Sequence, residues 1–162
     1  MKIIAIIPAR LSSKRLPRKQ LLKIGSSNLI EIIYKKLNKI FNKKNIFVAT
    51  SKNKSDDELC NFCKKRKINF FRGSLTNVTK RVYELAKHQK ADGFARVNGD
   101  SPLVNLTQLK KSIKKFRSKK YDLVTNLFPR TFPKGMSIEI IRTDILKKIL
   151  KKNKKKIHKE HI

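Results

Sequence analysis

Six short apolar runs rich in β-branched and aromatic residues, at 2–7, 46–50, 68–71, 94–97, 122–125 and 137–141, are separated mostly by stretches of helical periodicity. This alternation constrains the fold more than any other property of the chain. Runs of this length are strand-sized rather than helix-sized, and an uninterrupted apolar run suits a strand covered on both faces. The stretches between them carry helix start signals. Asn28 and Glu31 have capping-box spacing, and Leu29, Ile32, Ile33, Leu37 and Ile40 follow on one stripe. Asn105 with Gln108 opens another helix in the same way, and further helices are expected at 56–65 and 77–88. Strand and helix in succession predict an α/β domain with a sheet of mainly parallel strands, because parallel neighbours need the crossover that a helix supplies. In such sheets ligands bind beyond the carboxyl ends of the strands, so the residues just after each run are the ones that bear on function.

The 162 residues suffice for one compact domain, expected over 1–150, followed by a lysine-rich tail at 151–162. The 42 Lys and Arg residues against 11 Asp and Glu give a formal charge of +31, which in a clustered form would suit a nucleic acid. Here the lysines recur along the whole chain, on what read as solvent faces of helices, and the tail lacks the interleaved aromatics that stack on bases. Nucleic acid is therefore not the expected partner. The opening apolar run is broken by Pro8 and Arg10, and no stretch approaches the ~20 apolar residues of a membrane span. A cytoplasmic location is expected. Cys60 and Cys63 form a lone C-x-x-C within a helical stretch, with no further thiol or imidazole nearby to complete a zinc site, and are expected to be reduced helix residues.

Two segments stand out chemically. The connection from Pro8 to Ser27 is too long for an ordinary strand-to-helix loop, and it carries Arg10, Ser12, Ser13, Lys14, Arg15, Arg18 and Lys19 directly after the first strand. Guanidinium forks, an ammonium group and loop amides at that position can surround a polyphosphate, although the Walker pattern is absent. In a protein this basic, a solvated loop is the competing reading. The second segment is N-G-D-S-P, just past the fourth run. Asp100 there is a candidate ligand for a hard cation, against the alternative that Asp or Ser before Pro is a turn and cap signature. Asn98 either lines the same pocket or makes the N-G turn.

The run IIPARLSSKRLPRKQLL resembles the opening signature of the cytidylyltransferases that make CMP-activated sugars, the CMP-KDO and CMP-sialic acid synthetases and above all the spore-coat polysaccharide type. FVATS, FFRGSLTNVTKRVYELAK, ADGFARVNGDSPLV and YDLVTNLFPRTFPKGMSIEI resemble later family segments in order and spacing, so the likeness runs through nearly the whole chain. It implies a three-layer, Rossmann-like nucleotide-diphospho-sugar transferase fold and a nucleotidyltransferase that moves CMP from CTP to an acidic sugar with release of pyrophosphate. By the resemblance, Arg10, Ser13, Arg15 and Lys19 grip the triphosphate, with Gln20 at the base of the loop. Arg72 and Gly73 help read the nucleotide, Arg81 faces the phosphates, Asn98 lines the pocket, and Asp100 holds Mg2+. Arg10, Lys19 and Asp100 are the implied catalytic set. Asn126, Arg130 and Glu139 resemble the acceptor side, where an arginine can hold a sugar carboxylate. From the residues alone, Arg81 reads equally as an exposed helix charge, and Glu139 sits in a strand pattern that can face solvent.

The sequence departs from the family pattern at Ser12 and Arg18, where glycine is usual. Family chains also continue past the segment resembling HKEHI, so truncation at the C-terminus is expected, with a further metal-binding carboxylate lying beyond it. An unpaired sheet edge would then favour a homodimer. The alternative function is a catalytically impaired fragment, or a remnant that binds nucleotide or nucleic acid.

Overall fold

The computed structural model describes residues 1–13, 16–130 and 132–152, with Lys152 described in its backbone only. Among them the elements run β1 (Ile3–Pro8), β2 (Lys23–Ile24), β3 (Ser27–Asn28), α1 (Leu29–Leu37), β4 (Ile46–Ser51), α2 (Asp57–Lys65), β5 (Asn69–Gly73), α3 (Val78–His88), β6 (Gly93–Arg96), α4 (Leu106–Arg117), β7 (Leu123–Thr125), β8 (Glu139–Arg142) and α5 (Thr143–Lys152). Each of the six apolar runs forms a strand. The α/β expectation holds, with ends moved by a residue or two. The tail expected at 151–162 lies beyond the described residues from 153 onward, and the start of the lysine-rich stretch belongs to α5.

The main sheet has the order β5-β4-β1-β6-β8-β7. β1 pairs in parallel with β4 on one side and with β6 on the other, and β4 pairs in parallel with β5. β8 runs antiparallel between β6 and β7. The chain thus leaves the central β1, builds outward through β4 and β5, then crosses back to lay β6 on the other side of β1. The order reverses between β1 and β6, and a crevice opens at such a switch point beyond the strand ends.

Period-two alternation along β1 splits its side chains between two cores. Ile3, Ala5 and Ile7 join a cluster with Ile30, Ile33 and Leu37 of α1, Leu59 and Cys63 of α2, and Leu109 and Phe116 of α4. Ile4 and Ile6 face the opposite layer, where Val82, Leu85 and Ala86 of α3 and Leu146 of α5 pack. These are the three layers of the expected fold. Cys60 and Cys63 are free and buried, and burial pushes the Cys63 thiol up to about 12. Among the described residues no helix is long and apolar enough to cross a membrane.

Asparagine starts α1, α3 and α4. Asn28 closes the full capping box with Glu31, Asn77 accepts from the amide of Lys80, and Asn105 accepts from that of Gln108. Lysine closes three helices. Lys67, Lys90 and Lys119 follow α2, α3 and α4 at φ of 54°, 50° and 62°, the left-handed region that glycine occupies without a Cβ penalty. After α2 and α3 the paired return bonds are complete, with Ile68 and Ala91 donating to the carbonyls of Cys63 and Ala86. These lysines are exposed. Lys67→Gly, Lys90→Gly and Lys119→Gly are each expected to stabilise the fold by about 0.5–1 kcal/mol, read as a higher urea midpoint at unchanged m-value.

Candidate active site

Two loops meet at the switch point. The amide of Gly99, just past β6, donates to the carbonyl of Pro8 at 3.0 Å, and Ala9 just past β1 donates to the carbonyl of Ala49 at 3.0 Å. The approach is too close for a side chain at 99, since a Cβ there would lie 3.0 Å from both the Ala9 Cβ and the Pro8 carbonyl oxygen. Glycine in N-G-D lets the two loops pack this closely without displacing either. It brings Asp100 alongside the basic loop.

The loop after β1 is anchored from below. Asp56, fully buried, accepts from the Leu11 amide at 2.7 Å and the Ser51 amide at 3.2 Å, and its second oxygen also takes the Ser51 hydroxyl. A carboxylate that receives three donors in a buried site holds the end of β4 and the basic loop together. Arg18, whose backbone has φ of 57°, donates its amide to the Leu11 carbonyl at 3.0 Å, and its side chain turns outward to pair with Glu58. The left-handed turn explains the usual glycine at 18. The arginine fills it with its bulk directed to α2 rather than into the cleft. Ser12 has no positive φ, so it replaces glycine without backbone strain.

Between these loops lies a cleft of about 570 Å³. Of the sequence-predicted residues, Arg10, Ser13, Lys19, Gln20, Arg81, Asn98 and Asp100 line it together. Lys19 Nζ donates to Asp100 Oδ2 at 2.6 Å across its mouth. Asp100 caps no helix, a task that Asn105 performs for α4, but it does sit in the N-G-D turn, where the Ser101 amide donates to the Asn98 carbonyl at 2.9 Å. Arg81 is 1% exposed, which rules out the exposed-charge reading. It reaches the cleft through the gap left by Gly73, where a Cβ would come within 2.7 Å of the Arg81 Cγ. Burial lowers the Arg81 guanidinium to about 10, with Asp56 opposing that shift and Arg10 adding to it, so it remains cationic at neutral pH. Its Nη1 donates to the Ser74 carbonyl at 2.8 Å, while its Nε has no partner in the protein. The buried amide oxygen of Gln20 is likewise unpartnered. Both atoms are fully buried behind the cleft surface, although the residues that carry them line it.

Other predicted residues sit elsewhere. Arg15 lies outside the described residues. Arg72 does not line the cleft: its Nε donates to the Ser51 carbonyl and its Nη2 to that of Asn53, both at 2.9 Å, and it pairs with Asp57 at 2.7 Å. Asn126 clasps the backbone of the segment ahead of β8, donating to the Met136 carbonyl at 2.9 Å and accepting from the Ile138 amide at 2.8 Å. Arg130 is exposed and does not line the cleft. Glu139 does not face solvent. It stands opposite Arg96 in the antiparallel register of β6 and β8, and Arg96 Nε donates to Glu139 Oε2 at 2.6 Å with both side chains about nine-tenths buried. Arg96 lines the cleft and was missed from sequence. A cation inside the apolar run GFAR was the signal, one that a buried counter-charge explains.

A divalent cation fits this donor set in a particular way. Asp100 is the one carboxylate among the described residues lining the cleft, and among those residues no cluster of three or more His, Cys, Asp or Glu could hold a metal. One carboxylate with retained waters holds a free cation only weakly, and Mg2+ is commonly held by one or two carboxylates together with substrate phosphates and waters.

The chain is 35% identical over its full length to an uncharacterised protein of Methanocaldococcus jannaschii, spanning 65% of that relative. It is 37% identical over 126 residues, 74% of the chain, to the 3-deoxy-manno-octulosonate cytidylyltransferase of Rickettsia bellii, of which it spans 50%. The chain thus covers about half to two thirds of the length of these curated relatives. The solved structure of a cytidylyltransferase from Leptospira borgpetersenii superposes with a TM-score of 0.93 at 31% identity, covering 99% of this chain and 68% of that one. A model of the family described as Cytidylyltransferase matches residues 4–161, and the chain belongs to that family.

Proposed function

We propose that this cleft binds CTP and transfers its CMP unit to a hydroxyl of an acidic sugar, with pyrophosphate as the leaving group. The observation that supports the reading most directly is the convergence of Arg10, Lys19 and Arg81 on one cleft that also holds Asp100. A triphosphate carries several negative charges, and three cations from two sides of a switch-point crevice can bind it and neutralise the charge that develops on departing pyrophosphate. The acidic sugar as acceptor is supported by the 3-deoxy-manno-octulosonate cytidylyltransferase among the relatives.

The residues divide the work. Ser13 and the loop amides orient phosphate oxygens, Arg10 and Lys19 hold the outer phosphates, and the Arg81 guanidinium on α3 adds positive charge behind them. A Mg2+ held by Asp100 would act as a Lewis acid, lowering the charge on the phosphoryl group under attack. Positioning in such displacements supplies much of the rate, which suits a site without an evident general base. Pyrophosphate release from CTP, measured with Mg2+ and a panel of acidic sugars, is expected to depend on one sugar of the panel. Turnover with no member of a broad panel, alongside retained CTP binding, would reduce the proposal to nucleotide binding.

A further inference from the structure

The Lys19–Asp100 ion pair sets the chief phosphate-gripping ammonium against the metal-binding carboxylate, so each group of the proposed machinery occupies the other. We propose that this pair is a latch: it keeps Asp100 closed to a divalent cation until a nucleoside triphosphate draws Lys19 away, which imposes nucleotide-first binding. The inference rests on the CTP-binding reading of the cleft.

Three observations converge on it. The contact is short, 2.6 Å from Nζ to Oδ2, and it joins two loops rather than neighbours in sequence. Lys19 comes from the 3-10 turn Lys19–Leu21, and Asp100 from the loop that follows β6. The side chains are 19% and 47% exposed, so the pair stands at the mouth, open to an arriving ligand and not welded into the core. The charge balance of the cleft points the same way. Arg10, Lys19, Arg81 and Arg96 line it, with Asp100 the one carboxylate among the described lining residues, while Glu139 answers Arg96 and Asp56 acts on Arg81 from beneath. A free dication meets a carboxylate already neutralised by an ammonium. A polyanion meets the reverse. Its oxygens offer Lys19 more negative charge than Asp100 does, and lysine follows charge as a mobile point cation on a flexible stem. Once Lys19 swings to the phosphates, Asp100 is released beside them, and carboxylate and phosphate oxygens together form the ligand set that a hard cation needs.

The test uses Mn2+ alone as the metal probe, read by electron paramagnetic resonance without nucleotide, sugar or turnover. Lys19→Met is expected to tighten Mn2+ binding about five- to tenfold over the unsubstituted protein, while Lys19→Arg, which keeps a cation against Asp100, stays within about twofold. In the mirror experiment, CTP binding in EDTA is expected to strengthen about threefold or more in Asp100→Asn, because the phosphates no longer compete for Lys19. Mn2+ binding that is unchanged, weaker or undetectable in Lys19→Met overturns the latch, as does an Asp100→Asn protein that binds metal-free CTP no better. The latch and the transfer reading fail separately. Tighter Mn2+ in Lys19→Met without sugar-dependent pyrophosphate release removes only the transfer reading, and the opposite pattern removes only the latch.

Discussion

Asp100→Asn is expected to leave the thermal midpoint nearly unchanged and to lower sugar-dependent pyrophosphate release from CTP by about 10³-fold or more. The stability expectation follows from exposure. Asp100 is about half exposed, its described side-chain partner is Lys19 at the cleft mouth, and solvent screening leaves such pairs worth little to the fold. The activity expectation follows from scarcity. Asp100 is the one carboxylate among the described cleft residues, so none of the others described there can replace its charge. Asparagine keeps the shape and loses the charge, which separates electrostatics from packing. Steady-state pyrophosphate release beside a melting curve checks both halves. Turnover within tenfold of the unsubstituted protein would remove Asp100 from the metal role.

Glu139→Ala is expected to show the opposite balance, with a stability loss of about 3–5 kcal/mol and a thermal midpoint lower by about 10 °C. Arg96 and Glu139 are paired across β6 and β8 with about a tenth of each side chain exposed. Removing the carboxylate strands a guanidinium inside the sheet, where the cost of an uncompensated charge exceeds the worth of the pair. Replacing both partners, as in Arg96→Met with Glu139→Leu, is expected to recover most of the lost stability, because two apolar side chains need no counter-charge. Recovery of stability without recovery of turnover would assign Arg96 a role in the cleft beyond holding the sheet. A midpoint shift under 3 °C for Glu139→Ala would show that water reaches the pair.

The fold and the cleft were legible to different depths. Strand order was not readable from the runs themselves, but their alternation with capped helices led to the correct class. Asn28 and Asn105 cap helices as their spacing suggested, because capping is a contact between residues three apart, and the structure adds Asn77 as a third cap of the same kind. The loop from Arg10 to Lys19 was visible through its length, its charge and its family likeness, and Asp100 through its place after a strand. Arg81 was ambiguous because an arginine on a polar helix normally faces water. The space beside Gly73, where a Cβ would meet the Arg81 stem, helps admit it to the interior.

Glu139 and Arg72 show why the remainder was hidden. Both were placed among ligand-binding residues by likeness of local sequence, yet each has partners far away along the chain. Glu139 meets Arg96 43 residues earlier, and Arg72 meets the Ser51 carbonyl 21 residues earlier. Such pairings depend on strand register, and shifting a strand by one residue reverses the face of every side chain it carries.

The sequence by itself determined what short-range physics governs: strand-sized apolar runs, asparagine caps, a cationic loop after the first strand, and a chain rich in lysine. Only the tertiary structure decided which of those cations share a cleft, that Arg96 has its counter-charge, and that Lys19 lies against Asp100. The physical reason is the parallel sheet. Its order places β6 beside β1, so residues 81 positions apart come within hydrogen-bonding distance through crossovers that no local pattern specifies.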